Sequence, residues 1–519
     1  MKKLFAALAI LSFLVPVGRA DTNSEADVPA GVLTNSLTAV ATNSLAGAAT
    51  NALPEAVTNA LPEVVTNALA TTATNAPAGV ATNSSVKSSA SAKPAKPAKP
   101  AKSGKSRKSG KGAKSSAVDV LDYGAKGDGV TKDTAAIQQA LDTCAQKGGG
   151  TVYFPEGVYL TGSLVLHSKT KLEFGAKANL LGSPDIADYP IVNVRWEGEF
   201  RAGHRALISA TDATDIAITN GAIFGPPLPL GKLRDPRGPA LIELTSCTNT
   251  VLTGFTTQYQ QLWSIHLLFC KNLTARNLTI RTVSANGDGM DVDSCNGVTI
   301  ERCDIDTGDD AISLKSGRGL AAQTLNRPTE NIVIRDCRLN SSIYAALGIG
   351  TEISGGVRNV KLENCVISGR QNAIFIKSRN GRGGYLENLS GTNLTVLKSP
   401  TFIGFDLTTK GIQATDPVPG GVAQWTRVHN VSFQKVRVQD VAQLVVALAT
   451  NMPAACPVDG FTLADISGTC KKAITIADMT NVDFSGIRIT GFSGKFITAT
   501  NTYGRGLDYS AMRRKWWLW

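Results

Sequence analysis

A short strand-like pattern recurs along the second half of the chain and restricts its possible folds more than any other feature. In each copy apolar and polar residues alternate, as in a strand with one buried face. The clearest copies span residues 273–280, 298–305, 332–339 and 360–367. Weaker copies span residues 251–257, 389–396, 431–438, 461–467 and 482–489. Short strands at this spacing are typical of a parallel β-helix, whereas the hairpins of a β-sandwich are shorter and more evenly spaced.

Two features outside the strands fit the same fold. Residues 133–144 have the apolar spacing of a short helix that would cap the first coil, and three glycines at 148–150 would end it. Six cysteines recur at two repeat positions, where we expect them to stack inward as small apolar groups: Cys247, Cys270, Cys295, Cys303, Cys337 and Cys365. Cys456 and Cys470 lie outside these columns and form the pair best placed for a disulfide.

Composition divides the chain near residue 118. Residues 1–20 are predicted to be a secretory signal peptide, because two lysines precede a short apolar run and a small-residue cleavage site. Residues 21–86 repeat a Thr-Asn pair every eight residues and are predicted to be a low-complexity spacer. Residues 87–117 form a basic linker, and residues 118–519 form the predicted β-helix domain. No run in the mature chain reaches the roughly 20 apolar residues of a membrane span.

The positive charge of the chain is concentrated in the linker. The formal net charge is +12, and residues 87–117 carry ten lysines or arginines and no acid. Nucleic acid is therefore not expected as a partner of the folded part, which we predict to be monomeric. The linker composition suits contact with an anionic surface or polysaccharide, and a solvated spacer explains it equally well.

Three acidic residues stand in glycine-containing segments on either side of the strand repeat at 298–305. Asp288 lies 21 residues before Asp309, which is followed directly by Asp310. Residues about one coil apart become neighbours in a solenoid, so the three carboxylates are predicted to meet on one face. Neighbouring residues of an extended strand point to opposite faces, so we expect a turn at Gly308 to aim both aspartates outward. Such a cluster suits acid/base hydrolysis of a glycosidic bond, and calcium binding or solvated turn acids are the alternatives.

Several motifs between residue 118 and about residue 491 resemble those of the family 28 glycoside hydrolases, the polygalacturonases and rhamnogalacturonan hydrolases. They are DYGAKGDGVTKD at 122–133, WSIH at 263–266, NGD at 286–288, GDD at 308–310, GIGTEISGG at 348–356 and GGY at 383–385. The resemblance covers nearly all of the globular part. It implies an all-β fold, a single-stranded right-handed parallel β-helix, and hydrolysis of pectic glycosides with inversion, without a metal or other cofactor.

The same resemblance implies roles for the three acids. Asp309 would be the general acid, and Asp288 and Asp310 would hold and deprotonate the attacking water. Ionising all clustered carboxyl groups at once is energetically unfavourable, so one keeps its proton and can give it to the leaving oxygen. For inversion we expect the acid and the base to lie roughly 6.5–9.5 Å apart, with a water between them.

Two positions depart from the family pattern. Tyr344 aligns with a histidine of the family, and Phe375 aligns with the arginine of an Arg-Ile-Lys motif of which only Lys377 is kept. Phenylalanine can stack on a sugar face, whereas Lys377 can pair with a carboxylate. We therefore predict that Lys377, Tyr344, Phe375, Asn286 and His266 bind substrate. An exposed strand lysine and a hydrogen-bonded structural histidine are the alternatives for Lys377 and His266.

The sequence as a whole predicts a secreted, periplasmic or cell-surface hydrolase that acts on a pectic polysaccharide. Rhamnogalacturonan linkages are favoured over polygalacturonan, because the methyl group of a neutral deoxy sugar suits aromatic walls. Two alternatives stay open. One is a β-helical pectate lyase, which needs Ca²⁺ and an arginine base. The other is a non-catalytic pectin-binding protein on a hydrolase scaffold.

Overall fold

Parallel strands wound into successive coils make up almost all of the described chain. The computed structural model describes residues 117–226, 235–260, 262–408, 425–448 and 458–508. The predicted signal peptide, the spacer and all but the last residue of the linker lie outside these residues. In the described part, one 32-stranded sheet contains every strand except an antiparallel pair.

Two α-helices and 34 strands are present in the described residues. The helices are α1 (Thr134–Gln146) and α2 (Gly319–Leu325), and 3₁₀ turns occupy Val120–Tyr123 and Ile186–Asp188. The strands are β1 (Val118–Asp119), β2 (Asp128–Lys132), β3 (Gly150–Phe154), β4 (Gly157–Thr161), β5 (Leu164–Val165), β6 (Thr170–Phe174), β7 (Ala178–Gly182), β8 (Ile191–Trp196), β9 (Glu199–His204), β10 (Ile208–Thr211), β11 (Ala217–Thr219), β12 (Ala222–Phe224), β13 (Ile242–Thr245), β14 (Thr248–Thr253), β15 (Thr256–Gln258), β16 (Ile265–Leu268), β17 (Lys271–Arg276), β18 (Thr279–Arg281), β19 (Met290–Asp293), β20 (Asn296–Glu301), β21 (Asp304–Thr307), β22 (Ile312–Lys315), β23 (Thr329–Arg335), β24 (Arg338–Ser341), β25 (Ala345–Ile349), β26 (Val357–Glu363), β27 (Val366–Gly369), β28 (Asn372–Lys377), β29 (Tyr385–Leu397), β30 (Thr401–Asp406), β31 (Arg427–Leu448), β32 (Val458–Ser485), β33 (Arg488–Thr490) and β34 (Ile497–Arg505).

The strands form three parallel ladders, because each coil contributes one strand to each face of the solenoid. Face A runs through β5, β10, β13, β16, β19, β22, β25, β28 and β30. Face B runs from β3 through β17, β20, β23 and β26 to β29, and face C from β4 through β18, β21 and β24 to β27. This is the predicted right-handed parallel β-helix.

Register fixes which residues of successive coils become neighbours. On face A, Ile265 pairs with Met290 and Met290 pairs with Ile312, so these coils contain 25 and 22 residues. The paired residues belong to one continuous buried core, in which apolar side chains stack along the solenoid axis. The alternation seen in the sequence therefore corresponds to inward positions that contact the same position one coil away.

Asparagines at one corner of the coils allow the chain to bend. Asn331, Asn359, Asn388 and Asn430 adopt φ values between 57° and 59°, in the left-handed region that asparagine tolerates better than most residues. Their side-chain amides are hydrogen-bonded from coil to coil at 3.0–3.1 Å. This column holds the corner at a fixed angle while the strands on either side keep their register.

Helix α1 covers the N-terminal end of the solenoid, as predicted. Ile137, Ala140, Leu141 and Cys144 form its buried face and belong to the same core as the first coils. Without such a helix the first coil would expose its stacked apolar residues to water. Among the described residues, neither helix has the length and hydropathy that crossing a membrane requires.

The repeat-position cysteines are buried and unpaired, as expected. Within the columns the thiols contact the backbone of adjacent coils; for example, the Cys303 N–H lies 3.4 Å from Cys337 Sγ. Cys470 is also a buried free thiol, and Cys456, its predicted disulfide partner, lies outside the described residues.

Two elements of the fold have no counterpart in the sequence prediction. One is α2, which lies between β22 and β23. The other is the antiparallel hairpin of β8 and β9, which is inserted between coils. The hairpin is attached to the solenoid by charged contacts: Arg195 Nε lies 3.4 Å from Asp293 Oδ2, and Glu199 Oε2 lies 2.5 Å from Arg318 Nη2. Neither element carries the alternating repeat, so the strand pattern gave no signal for it.

The stacked core predicts a sharp contrast between neighbouring residues of β23. Ile332 is fully buried and stacks between Val298 and Val360, whereas Val333 points outward. Ile332→Ala should destabilise the protein by about 2–5 kcal/mol because it leaves a cavity in the stack. Val333→Ala, the control, should cost less than about 1 kcal/mol. Urea unfolding of both variants measures the difference, and equal costs would contradict the assignment of inward positions.

Candidate active site

Three aspartates from two adjacent coils meet at the N-terminal ends of the face A strands. One carboxylate oxygen of each of Asp288, Asp309 and Asp310 lies within 4.8 Å of the others. The coils are joined there by the Gly289 N–H, which donates to the Asp310 carbonyl at 3.0 Å. All three side chains are buried. The cluster that the sequence predicts therefore forms, with Asp288 level with Asp310.

A bend at Gly308 gives Asp309 and Asp310 their orientation. Residues 308 and 309 form this bend, between β21 and β22. A side chain at Gly308 would place its Cβ 2.1 Å from the Ser284 carbonyl oxygen, so only glycine fits against the neighbouring coil. The expected turn is present, and its tight packing explains the glycine.

The Asp309 carboxyl group is held by the backbone. Its Oδ2 accepts a hydrogen bond from the Asn286 N–H at 2.9 Å, and its Oδ1 accepts one from the Asp310 N–H at 2.9 Å. Asn286 has a φ of 63°, which turns its N–H toward the cluster. The structure thus gives Asn286 a backbone role beside Asp309, and its predicted contact with substrate stays a prediction.

Asp310 is fixed by an ion pair with Lys377. Lys377 Nζ lies 2.7 Å from Asp310 Oδ2, and the Ala345 N–H donates to Asp310 Oδ1 at 3.1 Å. Gly348 leaves room for this carboxylate, since a Cβ there would lie 2.2 Å from Asp310 Oδ2. Lys377 is therefore engaged within the cluster rather than being an exposed strand lysine.

Two aromatic rings flank the ammonium group of Lys377. Lys377 Nζ lies 5.6 Å from the centre of the Tyr344 ring and 5.7 Å from that of Phe375. Tyr344 is half-buried and Phe375 is almost fully buried. The two residues that depart from the family pattern are thus brought together at one side of the acid cluster.

The three carboxyl groups form a compact cluster. One oxygen of each lies within 4.8 Å of the others, because Asp309 and Asp310 are adjacent in sequence and Asp288 stacks directly on their coil. A separation of roughly 6.5–9.5 Å between the carboxyl groups of acid and base is usual for inverting glycosidases, and for this protein it stays a prediction.

Burial and mutual repulsion favour protonation of the cluster. Burial raises the pKa of Asp309, and the charge of Asp310 raises it further, against opposing effects from Lys377 and the two backbone N–H groups. The pKa of Asp288 is raised well above its usual value by burial and by the charges of Asp291 and Asp309. At least one carboxyl group is therefore available to donate a proton at mildly acidic pH.

A second set of buried charges, which the sequence analysis missed, lies beside the three aspartates. Lys315 Nζ lies 3.5 Å from Asp291 Oδ1 and 3.3 Å from Glu352 Oε2, and 5.0 Å from the centre of the Trp263 ring. Burial alone would raise the pKa of Glu352, but Lys315 and Arg382 lower it to about 2. The sequence did contain an indication of this set. In β19 and β22 apolar residues alternate with polar ones, and the polar residues are buried as well.

Asp291 is the most unusual member of this set. Its side chain is fully buried, and neither carboxylate oxygen has a hydrogen-bond partner among the described residues. Burial raises the pKa of Asp291 to about 7, although the charges of Lys315, His266 and Arg237 oppose the rise. In the face A register Asp291 lies between His266 and Ser313.

His266 lies in the interior of the protein, and its predicted contact with substrate stays a prediction. The side chain is fully buried, its Nδ1 lies 3.0 Å from Glu243 Oε2, and its ring packs edge-on against Trp263 at 4.9 Å. The Nε2 atom has no hydrogen-bond partner among the described residues. The structure supports the alternative of a hydrogen-bonded structural histidine.

Among the described residues, Asp288, Asp309 and Asp310 also form the one group of His, Cys or acidic side chains close enough to share a metal ion. Three carboxylates are suitable ligands for a hard cation. However, Lys377 already provides a positive charge 2.7 Å from Asp310. This ion pair within the protein balances part of the negative charge of the three acids.

Comparison with known proteins identifies the family of the chain and agrees with its fold. Residues 229–489, half of the chain, match the model of the glycosyl hydrolases of family 28, and residues 117–188 match a model described as rhamnogalacturonase A/epimerase, pectate lyase-like. The chain therefore belongs to glycosyl hydrolase family 28.

Individual relatives show how far the similarity extends. A probable polygalacturonase of Vitis vinifera is 33% identical over 298 residues, which cover 54% of this chain and 60% of the relative. An exopolygalacturonase structure from Thermotoga maritima has a TM-score of 0.63 and 26% identity, covering 72% of this chain and 91% of that one. A family 28 exopolygalacturonase of Yersinia enterocolitica, with a TM-score of 0.66 and 22% identity over 75% of this chain and 78% of that one, shares the fold. The chain spans about 60% of the length of the curated relatives it matches.

The buried carboxyl of Asp291 predicts a pH-dependent loss of stability. With a pKa near 7 when folded and near 3.8 when unfolded, Asp291 contributes stability below about pH 4, which is lost as pH rises toward 7. The free energy of unfolding of Asp291→Asn should therefore equal that of the wild type near pH 4 and exceed it at pH 8. At about 1.4 kcal/mol per pKa unit, the increase in the free energy of unfolding is at most about 4 kcal/mol.

Urea unfolding at pH 4, 6 and 8 measures this difference, with the exposed Asp440→Asn as the control. The control should change stability by less than about 0.5 kcal/mol at every pH. A variant that is less stable than the wild type at pH 8 would instead show that Lys315 stabilises an ionised Asp291.

Proposed function

We propose that the protein hydrolyses a pectic glycosidic bond with inversion, using Asp309 as general acid and Asp288 with Asp310 to activate water. The observation that carries this proposal is the buried cluster of three carboxylates within 4.8 Å, in a chain of family 28. In this cluster burial favours the protonated forms of Asp288 and Asp309, whereas Asp310 is paired with Lys377. Acid/base hydrolysis needs both kinds of group in one place.

Asp309 has the environment of a proton donor. Burial and the neighbouring charge of Asp310 favour its neutral form, and its two backbone hydrogen bonds hold the carboxyl group in place. Once the proton has passed to the leaving oxygen, the Asn286 and Asp310 N–H groups stabilise the carboxylate that results. The same contacts therefore orient the acid and support its conjugate base.

Asp288 and Asp310 have the position to hold the water. Asp310 is aligned by Lys377 and by the Ala345 N–H, while Asp288 lies level with it on the neighbouring coil. In a cluster this compact, the water is bound by the two carboxylates together rather than between the acid and one distant base. Attack from this side would invert the anomeric centre, which NMR of the first-formed product measures directly.

Within pectic substrates, we propose that rhamnogalacturonan-type linkages are preferred over polygalacturonan. Tyr344 and Phe375 present aromatic rings beside Lys377, and Lys377 is already paired with Asp310. That side of the cluster suits the methyl group of a neutral deoxy sugar better than a second carboxylate. The match of residues 117–188 to a rhamnogalacturonase A/epimerase model supports the same substrate class.

We also propose that the protein acts outside the cytoplasm. Residues 1–20 have the pattern of a signal peptide, and residues 21–117 that of a spacer with a basic linker. A pectic polymer is too large to be imported intact, so an enzyme that cleaves it must meet it outside the membrane. A monomer whose basic linker contacts an anionic surface or the polyanionic polymer itself fits this role.

Removing the proton of Asp309 tests the catalytic assignment. Asp309→Asn should reduce kcat at least about 1,000-fold while leaving the melting temperature and polymer binding nearly unchanged, since an amide cannot protonate the leaving oxygen. Release of reducing ends from pectic polymers measures activity. The control is Asp306→Asn in the same coil, which should keep wild-type kcat. Activity of Asp309→Asn within tenfold of the wild type would remove this residue from the acid role.

Phe375 provides a test of substrate preference. The wild type should have a higher kcat/KM on rhamnogalacturonan than on polygalacturonate. Phe375→Arg should reduce the ratio of these two values at least about tenfold, because the arginine adds a partner for a second carboxylate. Phe375→Leu, which removes the ring without adding charge, is the control and should weaken both activities. A wild type that prefers polygalacturonate would show that other cations receive that carboxylate.

A further inference from the structure

A buried arginine that precedes β13 lacks the hydrogen bonds that buried guanidinium groups normally make. Arg237 is 1% exposed, and its Nε and Nη2 have no hydrogen-bond partner among the described residues. No carboxylate of those residues lies within 4.0 Å of it. Buried charges are normally paired, so this guanidinium group requires an explanation.

Two tryptophans hold the Arg237 side chain in place. The guanidinium carbon lies 4.2 Å from the centre of the Trp263 ring and 4.9 Å from that of Trp196, which belongs to the inserted hairpin. Stacking between aromatic faces fixes the plane of the group while leaving the N–H groups at its edge free. The two unpartnered nitrogens, Nε and Nη2, are the adjacent pair that can bind both oxygens of one carboxylate.

The charges around Arg237 keep it protonated. Burial lowers the pKa of Arg237 to about 10, while Glu243, Asp291 and Asp288 oppose this shift. The arginine is therefore cationic at any pH at which a pectic hydrolase would act. Asp288 is one of the proposed catalytic acids, so Arg237 is within electrostatic reach of the reaction centre.

The position of Arg237 makes the cleft asymmetric along the solenoid axis. Arg237 and Trp263 precede β13 and β16, on the N-terminal side of the coil that carries Asp288. Tyr344 and Phe375 belong to the coils of β25 and β28, on the C-terminal side of Asp310. The cation of the N-terminal side, Arg237, has no carboxylate partner, whereas that of the C-terminal side, Lys377, is paired with Asp310 between two aromatic rings.

We propose that Arg237 is a specificity-determining residue whose Nε and Nη2 bind the carboxylate of a uronic acid on the N-terminal side of the cleavage point. The aromatic pair on the C-terminal side then receives the neutral sugar. This inference rests on the proposed function and adds to it the group that recognises the acidic sugar. It also explains how the enzyme recognises a charged sugar although Phe375 replaces an arginine and Lys377 is paired with Asp310.

The test measures binding separately from hydrolysis. In the full-length Asp309→Asn background, isothermal titration calorimetry compares a galacturonate–rhamnose oligomer with its carboxyl-reduced counterpart. The acidic oligomer should bind at least about tenfold more tightly, because a paired charge contributes this much. Adding Arg237→Met should reduce the preference to about twofold or less and leave affinity for the reduced oligomer nearly unchanged.

Two further variants separate recognition from packing. Arg201→Met removes the other cation that stacks on Trp196, at 5.6 Å, and should keep the full preference for the acidic oligomer. Arg237→Lys keeps the charge but loses the paired N–H groups, so its preference should fall to an intermediate value. If Arg237→Met does not fold, Arg237→Lys decides the question: an unchanged preference overturns the proposal and a reduced one supports it.

The outcomes distinguish this inference from the proposed function. A wild type that releases no reducing ends from any pectic polymer would overturn the proposed function. A wild type that cleaves pectic polymers, together with an Arg237→Met variant that keeps the preference for the acidic oligomer, would overturn only the role of Arg237. Arg237 would then serve as a clamp that attaches the hairpin through Trp196.

Discussion

The parallel, in-register stacking of coils is the constraint on which the rest of the molecule depends. Hydrogen bonds between strands run along the solenoid axis and place each residue directly against its partner one coil away. Inward positions become continuous apolar columns, and outward positions become columns of polar groups. Chemistry can therefore be assembled from residues more than 20 positions apart without any special loop, provided that their register agrees.

The polar columns of face A carry an unusual density of buried charge. Lys315 links Asp291 to Glu352, and Lys377 binds Asp310, all in largely buried positions. Removing such groups from water costs several kcal/mol each, and an apolar packing would be more stable. The apolar columns of the core provide the stability that this arrangement lacks. We interpret the buried charges as retained for function, because they influence the protonation of the clustered acids.

The sequence predicted those features that depend on local pattern and on coil length. Alternation identified the strands, and the spacing of Asp288 and Asp309 predicted that they meet. Contacts between side chains of distant coils could not be predicted from the sequence. Lys377 pairs with a carboxylate 67 residues earlier, and the burial of His266 depends on what covers β16. The inserted hairpin and Arg237 were missed because a single insertion leaves no repeat to detect.

The hairpin of β8 and β9 has a consequence for how such a protein can change over time. The hairpin joins the solenoid through side chains such as Arg195 and Glu199, and its antiparallel pairing is separate from the ladders. Exposed positions of the hairpin, such as Phe200, can therefore diverge without disturbing the register that aligns the acids. Buried positions such as Trp196 are constrained by their contacts with the solenoid, so we expect variation to concentrate on the outer surface of the hairpin.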